Sequence, residues 1–415
     1  MVLYAKDLGA SATVLGIIAG MMPLLVIFQI PAASYVSRVG YRRFVYGGWG
    51  MRVMFIFGMA LVPLTYVFLN PTSRLSLLLL LLFAFNLSRG ISSCAWLPWI
   101  SALVPAPVRG KYLARDAACV NLASFACFLL AALCLAGDPH PWQFAVLFAF
   151  SAFMGAASLV FLKRIPDVAP PDEERNSRER VPWGDMIRYA PFQKLLWMVV
   201  AWSMAYGGLT AFTVAFLKTE VGMSETSILL VSSVSFLGGL SSLWLLGSRL
   251  DRLGSKPVLT FCFLGWLLVI AGWAVVAGHV FAPRLWVLLL LQVFMGLLAA
   301  LVAMSNTRLA MVIVPTMGRN HFFAIFSVLS NLSLGLAPIL WGLLIDAVGG
   351  WRSQHLGLEW NRYTVFFAAA GLVMLATFLL SRRLEEHEAA NLEQLLREVL
   401  IDSPQRVLVR FWPRG

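Results

Sequence analysis

Two short stretches, Arg38-Val39-Gly40-Tyr41-Arg42 and Arg252-Leu253-Gly254-Ser255-Lys256, repeat one pattern 214 positions apart. Each has a cation, an apolar residue, a glycine and a second cation two positions on, and each lies between two long apolar runs. Glycine permits the tight turn. A basic turn between apolar runs is how a chain crossing a bilayer turns back on its cytoplasmic side.

Working outward from these turns, eleven runs are long enough to cross ~30 Å of hydrocarbon, which takes ~20 helical residues at ~1.5 Å each. They are 14 to 37, 44 to 68, 75 to 104, 116 to 136, 142 to 162, 191 to 217, 227 to 247, 257 to 278, 285 to 314, 322 to 345 and 363 to 381. The runs are continuously apolar, whereas barrel strands alternate every second residue, so they are read as helices.

Of the 415 residues, 60% are apolar and 13% charged, and mean hydropathy is +0.80. A soluble domain carries about 45 to 50% and about 25%. This excludes a water-soluble enzyme. The net charge of +12 would suggest nucleic acid in a soluble chain. Here the cations punctuate apolar runs, so the expected partner is the lipid bilayer and not nucleic acid. The five cysteines, 94, 119, 127, 134 and 262, fall within apolar segments without metal-ligand spacing, and no metal or cofactor is expected.

With the 38 to 43 turn inside and connections alternating, the inside segments hold 23 Lys+Arg and the outside segments 6. The C-terminus is thereby expected in the cytoplasm of a plasma membrane, the inner membrane if the source is bacterial. The segment 163–190 alone has a soluble composition, with Pro166, Pro170 and Pro171 before a mixed-charge run, and is read as a cytoplasmic linker. It divides a bundle at 1–162 from a second at 191–381, and 382–415 is read as a cytoplasmic amphipathic tail.

Two further matches extend the repeat: Leu8-Gly9-Ala10-Ser11 with Val221-Gly222-Met223-Ser224, and Val104-Pro105 through Arg109 with Val314-Pro315 through Arg319. The halves are therefore parallel copies. The offset places the counterpart of 191 to 217 almost wholly before Met1, so the first half is expected to start one helix late; a true eleven-helix chain with its N-terminus outside is the alternative.

These features resemble the major facilitator superfamily, whose members have two six-helix bundles joined by a cytoplasmic loop. Its signature, Gly-x-x-x-Asp-Arg-x-Gly-Arg-Arg/Lys, stands in the second half as Gly247, Asp251, Arg252, Gly254 and Lys256. The first half has Ala33, Ser37, Arg38, Gly40, Arg42 and Arg43, without the first glycine and the acid. Pro105, Arg109 and Gly110 match the family's loop after the fourth helix, and Gly335, Pro338 and Gly342 its small-residue stripe. The resemblance implies an all-α integral membrane protein of two bundles, here with eleven transmembrane helices, five and six, acting as a monomer. It also implies that Arg38, Gly40, Arg42, Gly247, Asp251, Arg252, Gly254, Lys256 and Arg109 form a cytoplasmic latch; orientation alone also accounts for Arg42.

Charges at membrane depth cost on the order of 3 kcal/mol, so each needs a reason. All 20 acids lie in loops, helix ends or the tail, while Arg52, Arg89 and Arg308 lie inside runs, Arg89 at mid-run. Arg89 and Arg308, with Gln29, Asn86, Tyr206, Asn306 and Asn331, are the candidate cavity residues. Asn and Gln equally serve as interhelical glue. Trp96 and Trp99 are sugar-stacking or interfacial.

The resulting expectation is a secondary transporter, not an enzyme, that moves a small organic solute by alternating access, with or without a coupling ion. Arg89 favours an anionic solute. A sugar or drug exporter and a non-transporting sensor or scaffold of the same fold are the alternatives.

Overall fold

A computed structural model describes residues 1–104, 106–137, 139–168, 188–246, 254–313, 319–355 and 357–384. A short helix α1 (Val2–Asp7) precedes α2 (Ala12–Leu25), which passes through a 3-10 turn into α3 (Gln29–Val39). Then come α4 (Tyr41–Leu61), α5 (Pro71–Ser93), α6 (Trp96–Leu103), α7 (Ala106–Cys134) and α8 (Pro141–Arg164). The second half has α9 (Ala190–Tyr206), α10 (Leu209–Thr219), α11 (Glu225–Leu246), α12 (Ser255–Ala277), α13 (Leu285–Ile313), α14 (Arg319–Val348) and α15 (Arg362–Arg382). A small antiparallel hairpin, Ser353–His355 with Leu358–Trp360, joins α14 to α15.

Local chemistry sets the helix starts. The Ser11 hydroxyl accepts from the Val14 N–H, Asn70 from Ser73, and Asn361 from both Tyr363 and Thr364. Each satisfies backbone donors that have no intrahelical partner. Pro71 and Pro141 open α5 and α8, where a missing N–H costs nothing.

Among the described residues ten stretches are long and apolar enough to span a bilayer, and the run expected at 227 to 247 forms the 22-residue α11. The protein is thus a multi-pass membrane protein. Four expected runs are not single α-helices, one of them 44 to 68, whose last turns form the 3-10 segment Val62–Val67. The run 75 to 104 breaks between Ser93 and Trp96, where Ser92, Ser93 and Cys94 turn their side chains back onto their own helix carbonyls and Pro98 offers no N–H to the carbonyl of Cys94. The run 191 to 217 breaks at Gly207 and Gly208, the latter at φ +87°. The run 14 to 37 carries the 3-10 turn Val26–Phe28 shortly after Pro23.

The repeat is visible in the backbone. Gly40 (φ 88°, ψ 149°) and Gly254 (φ 82°, ψ 162°) share one conformation, open to glycine without the steric cost other residues meet. α4 and α12 begin at Tyr41 and Ser255, and α5 and α13 at Pro71 and Leu285, both 214 positions apart. α1 packs on α10, whose final residues it matches in the repeat. The two halves meet along α2 with α14 and along α7 with α11. Most of the linker, 169 to 187, and the tail from 385 lie outside the described residues.

Candidate functional site

A cavity of about 590 Å³ lies between the halves. α2 gives it Ala19, Met22 and Pro23, α7 gives Phe128, and α9 to α11 and α14 give Tyr206, Thr210, Ser232 and Pro338. Its wall is mostly apolar. The break after α9 brings Tyr206 to the cavity with an aromatic layer behind it: Tyr206 stacks on Trp202 (centroids 4.9 Å apart, 13° between planes) and meets Trp266 edge-on at 5.5 Å. The Trp266 Nε1 and Ser232 Oγ are buried without a hydrogen-bond partner among the described residues. Buried donors of this kind are normally matched by water or a bound molecule.

Of the candidate residues, Tyr206 lines this cavity. Arg89 is not among its lining residues, but its guanidinium donates at 3.1 Å to the Sδ of Met22, which is. No acid lies within ion-pair distance of Arg89 among the described residues. Arg52 sits over the Trp49 ring at 4.3 Å and donates to the Ser92 Oγ at 2.8 Å. Gln29 donates to Ser93 and so ties α3 to α5. Asn86 is buried and donates to the Leu82 carbonyl of its own helix. Asn331 likewise bonds Ser327 within α14 and faces α2 across the seam between the halves. Asn306 is buried with its Oδ1 unmatched among the described residues. Arg308 donates to the Ser255 Oγ at 3.0 Å, beside the second repeat turn.

In the expected latch, Arg38 is exposed and Arg42 half-buried at the two sides of Gly40, and Lys256 follows Gly254 at the start of α12. Gly247, Asp251 and Arg252, and the Arg109 side chain, lie outside the described residues. Trp99 is buried and donates to the Pro166 carbonyl at 3.1 Å, with Trp96 edge-on to it at 6.2 Å. That pair is packed at the end of the first half, and the aromatic residue at the cavity is Tyr206, with Trp202 and Trp266 behind it. The one-turn spacing Trp202-x-x-x-Tyr206 was the available signal in the sequence.

The halves are joined firmly at the end that carries Asp346. The Asp346 carboxylate on α14 accepts from the Ala12 N–H (3.0 Å), the Thr13 N–H (2.7 Å) and the Thr13 hydroxyl (2.6 Å), capping α2 from the other half. Lys218 pairs with Asp7 across the halves at 3.5 Å and with the buried Glu225 of its own half. The Thr226 hydroxyl of α11 donates to the Ala132 and Leu135 carbonyls at the end of α7. Below these contacts α2 and α14 interlock through glycines: a Cβ on Gly16 would strike the Pro338 carbonyl, and one on Gly20 the Gly335 carbonyl. Among the described residues no three His, Cys, Asp or Glu side chains gather as a metal site would need.

The Major Facilitator Superfamily model matches this sequence twice, over residues 1–219 and 208–412. The chain belongs to the major facilitator superfamily. Its likeness to superfamily structures covers nearly its whole length. A D-xylose-proton symporter superposes with a TM-score of 0.73 at 15% identity, covering 92% of this chain and 90% of that one. The nucleoside transporter NupG gives 0.65 at 12% identity, covering 93% and 94%. The E. coli xylose transporter XylE in an inward open conformation gives 0.67 at 16%, covering 94% and 90%. Among curated sequences, autophagy-related protein 22-2 of Aspergillus fumigatus is 26% identical over 209 residues, which is 43% of this superfamily chain and 33% of the relative. The counterpart 22-1 of Aspergillus clavatus is 24% identical over 187 residues, 41% and 30%. The chain spans about a third of the length of these curated relatives.

Proposed function

We propose that this superfamily member carries a small organic solute across the plasma membrane by alternating access, with the Asp346 end facing outward and the C-terminus in the cytoplasm. The observation that carries this reading is the cavity formed by both halves together, beside contacts that join them at the Asp346 end. Rocking the halves about such a cavity exposes it to either side in turn. In this reading the structure stands inward-facing. The 23 inside cations against 6 support the sidedness, and a reporter fused after Gly415 that is active outside the cell would overturn it.

The solute class follows from Arg89 and the cavity wall. A guanidinium at this depth costs on the order of 3 kcal/mol and attracts an anion. With Met22 as its partner in place of a carboxylate, Arg89 has donors left to grip a carboxylate or phosphate bidentately, as Lys cannot. The apolar and aromatic wall fits a solute with an apolar body behind that head. A neutral ring-bearing solute on Tyr206 is the second reading, favoured by the aromatic layer; the xylose and nucleoside neighbours carry solutes of that kind.

Uptake into vesicles holding the full chain, Arg89→Lys or Arg89→Ala separates the two readings. Loss of organic-acid transport by tenfold or more in Arg89→Ala, with folding yield kept and Arg89→Lys intermediate, is expected. Transport of neutral solutes alone, unchanged in Arg89→Ala, would make Arg89 a packing residue.

A further inference from the structure

A second pocket lies far from the cavity, at the Gly40 end of the first half. It has about 390 Å³ and is lined by Arg42, Arg43, Tyr46, Lys163 and Asp167. Three cations and one acid share it, and no ion pair joins them among the described residues.

The pairing of α4 with α8 puts this pocket at the membrane boundary. Phe57 meets Phe153 edge-on, a Cβ on Gly155 would lie 3.1 Å from Val53, and the Trp49 Nε1 donates to the Ser158 Oγ at 2.8 Å. The contacts step along antiparallel helices, so the next turns bring Arg42 and Arg43 beside Lys163 and Asp167. Arg42 and Arg43 lie at the start of the membrane span Tyr41–Val67 and Lys163 at the end of Pro141–Arg164, with Asp167 just beyond it. Just inside the boundary the surface is apolar and open: Tyr46 is 39% exposed, Val160 55% and Phe161 67%. A soluble anion would use the cations and leave this apolar rim idle. A phospholipid uses both, because its phosphate reaches the guanidinium groups while its acyl chains lie on the rim.

We propose that Arg42, Arg43 and Lys163 hold the phosphate of an anionic phospholipid at headgroup level, fixing α4 to α8 at the end of the first half. Two guanidinium groups provide forked donors for phosphate oxygens, and Asp167 limits the net charge so that the empty pocket is not strongly self-repelling.

The test uses the full chain in neutral detergent, with phosphatidylglycerol, phosphatidylcholine or inorganic phosphate added and bound lipid counted by native mass spectrometry. The expected result is retention of phosphatidylglycerol over phosphatidylcholine. That retention should fall at least tenfold in Arg42→Gln/Arg43→Gln/Lys163→Gln and persist in Arg382→Gln/Arg383→Gln, which removes two cations from the same end of the second half. Asp167→Asn keeps every cation and should tighten binding severalfold, a readout that survives misfolding of the triple variant. Equal retention in the triple variant, equal binding of phosphatidylcholine, weaker binding in Asp167→Asn, or full displacement by inorganic phosphate at matching concentration would each overturn the proposal.

Discussion

Asp346 accepts three hydrogen bonds from Ala12 and Thr13, and a carboxylate at the positive end of α2 makes each of them charge-assisted. A helix cap contributes about 1 kcal/mol and a charged one up to ~2 kcal/mol, enough to shift a two-state equilibrium by about five- to thirtyfold. Asp346→Ala is therefore expected to loosen the closure at the Asp346 end, which the proposed orientation puts outside. In a chain with the five native cysteines replaced and Thr210→Cys placed in the cavity, a membrane-impermeant maleimide added outside should label at least fivefold faster when Asp346 is changed. An unchanged rate would show that the cap does not hold the halves. Asp7 lies at the same end, where burying its charge costs more than the Lys218 pair returns. Burial pushes its carboxyl above the usual carboxylate range, against the downward pull of the Lys218 ammonium. A carboxyl raised in this way binds its proton more tightly when closed than when opened to water. Acidification between the ordinary and the raised value therefore favours closure, and closure weakens as pH rises through that window. The ratio of outside labelling between the Asp7 chain and Asp7→Asn, which is fixed neutral, should rise with pH; a ratio flat from acid to neutral would refute the link.

At the scale of elements, α2 and α14 pack with backbone against backbone because Gly16, Gly20 and Gly335 leave no side chain between them. Gly16→Leu should force the helices apart, lowering the Tm of the purified protein by several degrees and abolishing transport. Gly50→Ala, with no atom within 4 Å of the added methyl, should be neutral or stabilising by about 0.5 to 1 kcal/mol. A similar fall in both would disprove the interlock. The helices themselves were legible in the sequence, since every apolar run corresponds to helix and the repeated turns at Gly40 and Gly254 have the same backbone. The breaks were not, because Ser92, Ser93 and Cys94 are ordinary helix residues until their side chains turn onto carbonyls. Of the aromatic side of the cavity only Tyr206 was picked out, as a polar group within an apolar run; Trp202 and Trp266 behind it were not, because they sit in runs that are apolar on every side, where helical periodicity does not mark a face. Arg89 was visible because one charge in lipid stands out. Asp346 was visible only as an acid near a helix end, since its partners lie 333 and 334 positions away.

Across the whole molecule, the two halves close one end through contacts between residues near the start of the chain and residues near its end. Synthesis proceeds at ~5 to 20 residues per second, so the roughly 330 residues separating Thr13 from Asp346 take roughly 17 to 67 s to appear. For that interval α2 resides in the membrane with its glycine face and its first N–H groups unmatched by α14. The first half must therefore be a tolerable guest in lipid before it is half of a carrier, and its glycine face is free to pair with a wrong helix while it waits. Misassembly in this protein is a question of timing: any delay in delivering α14, by ribosome stalling or by slow release of later helices from the insertion machinery, lengthens the period in which α2 is open to other partners.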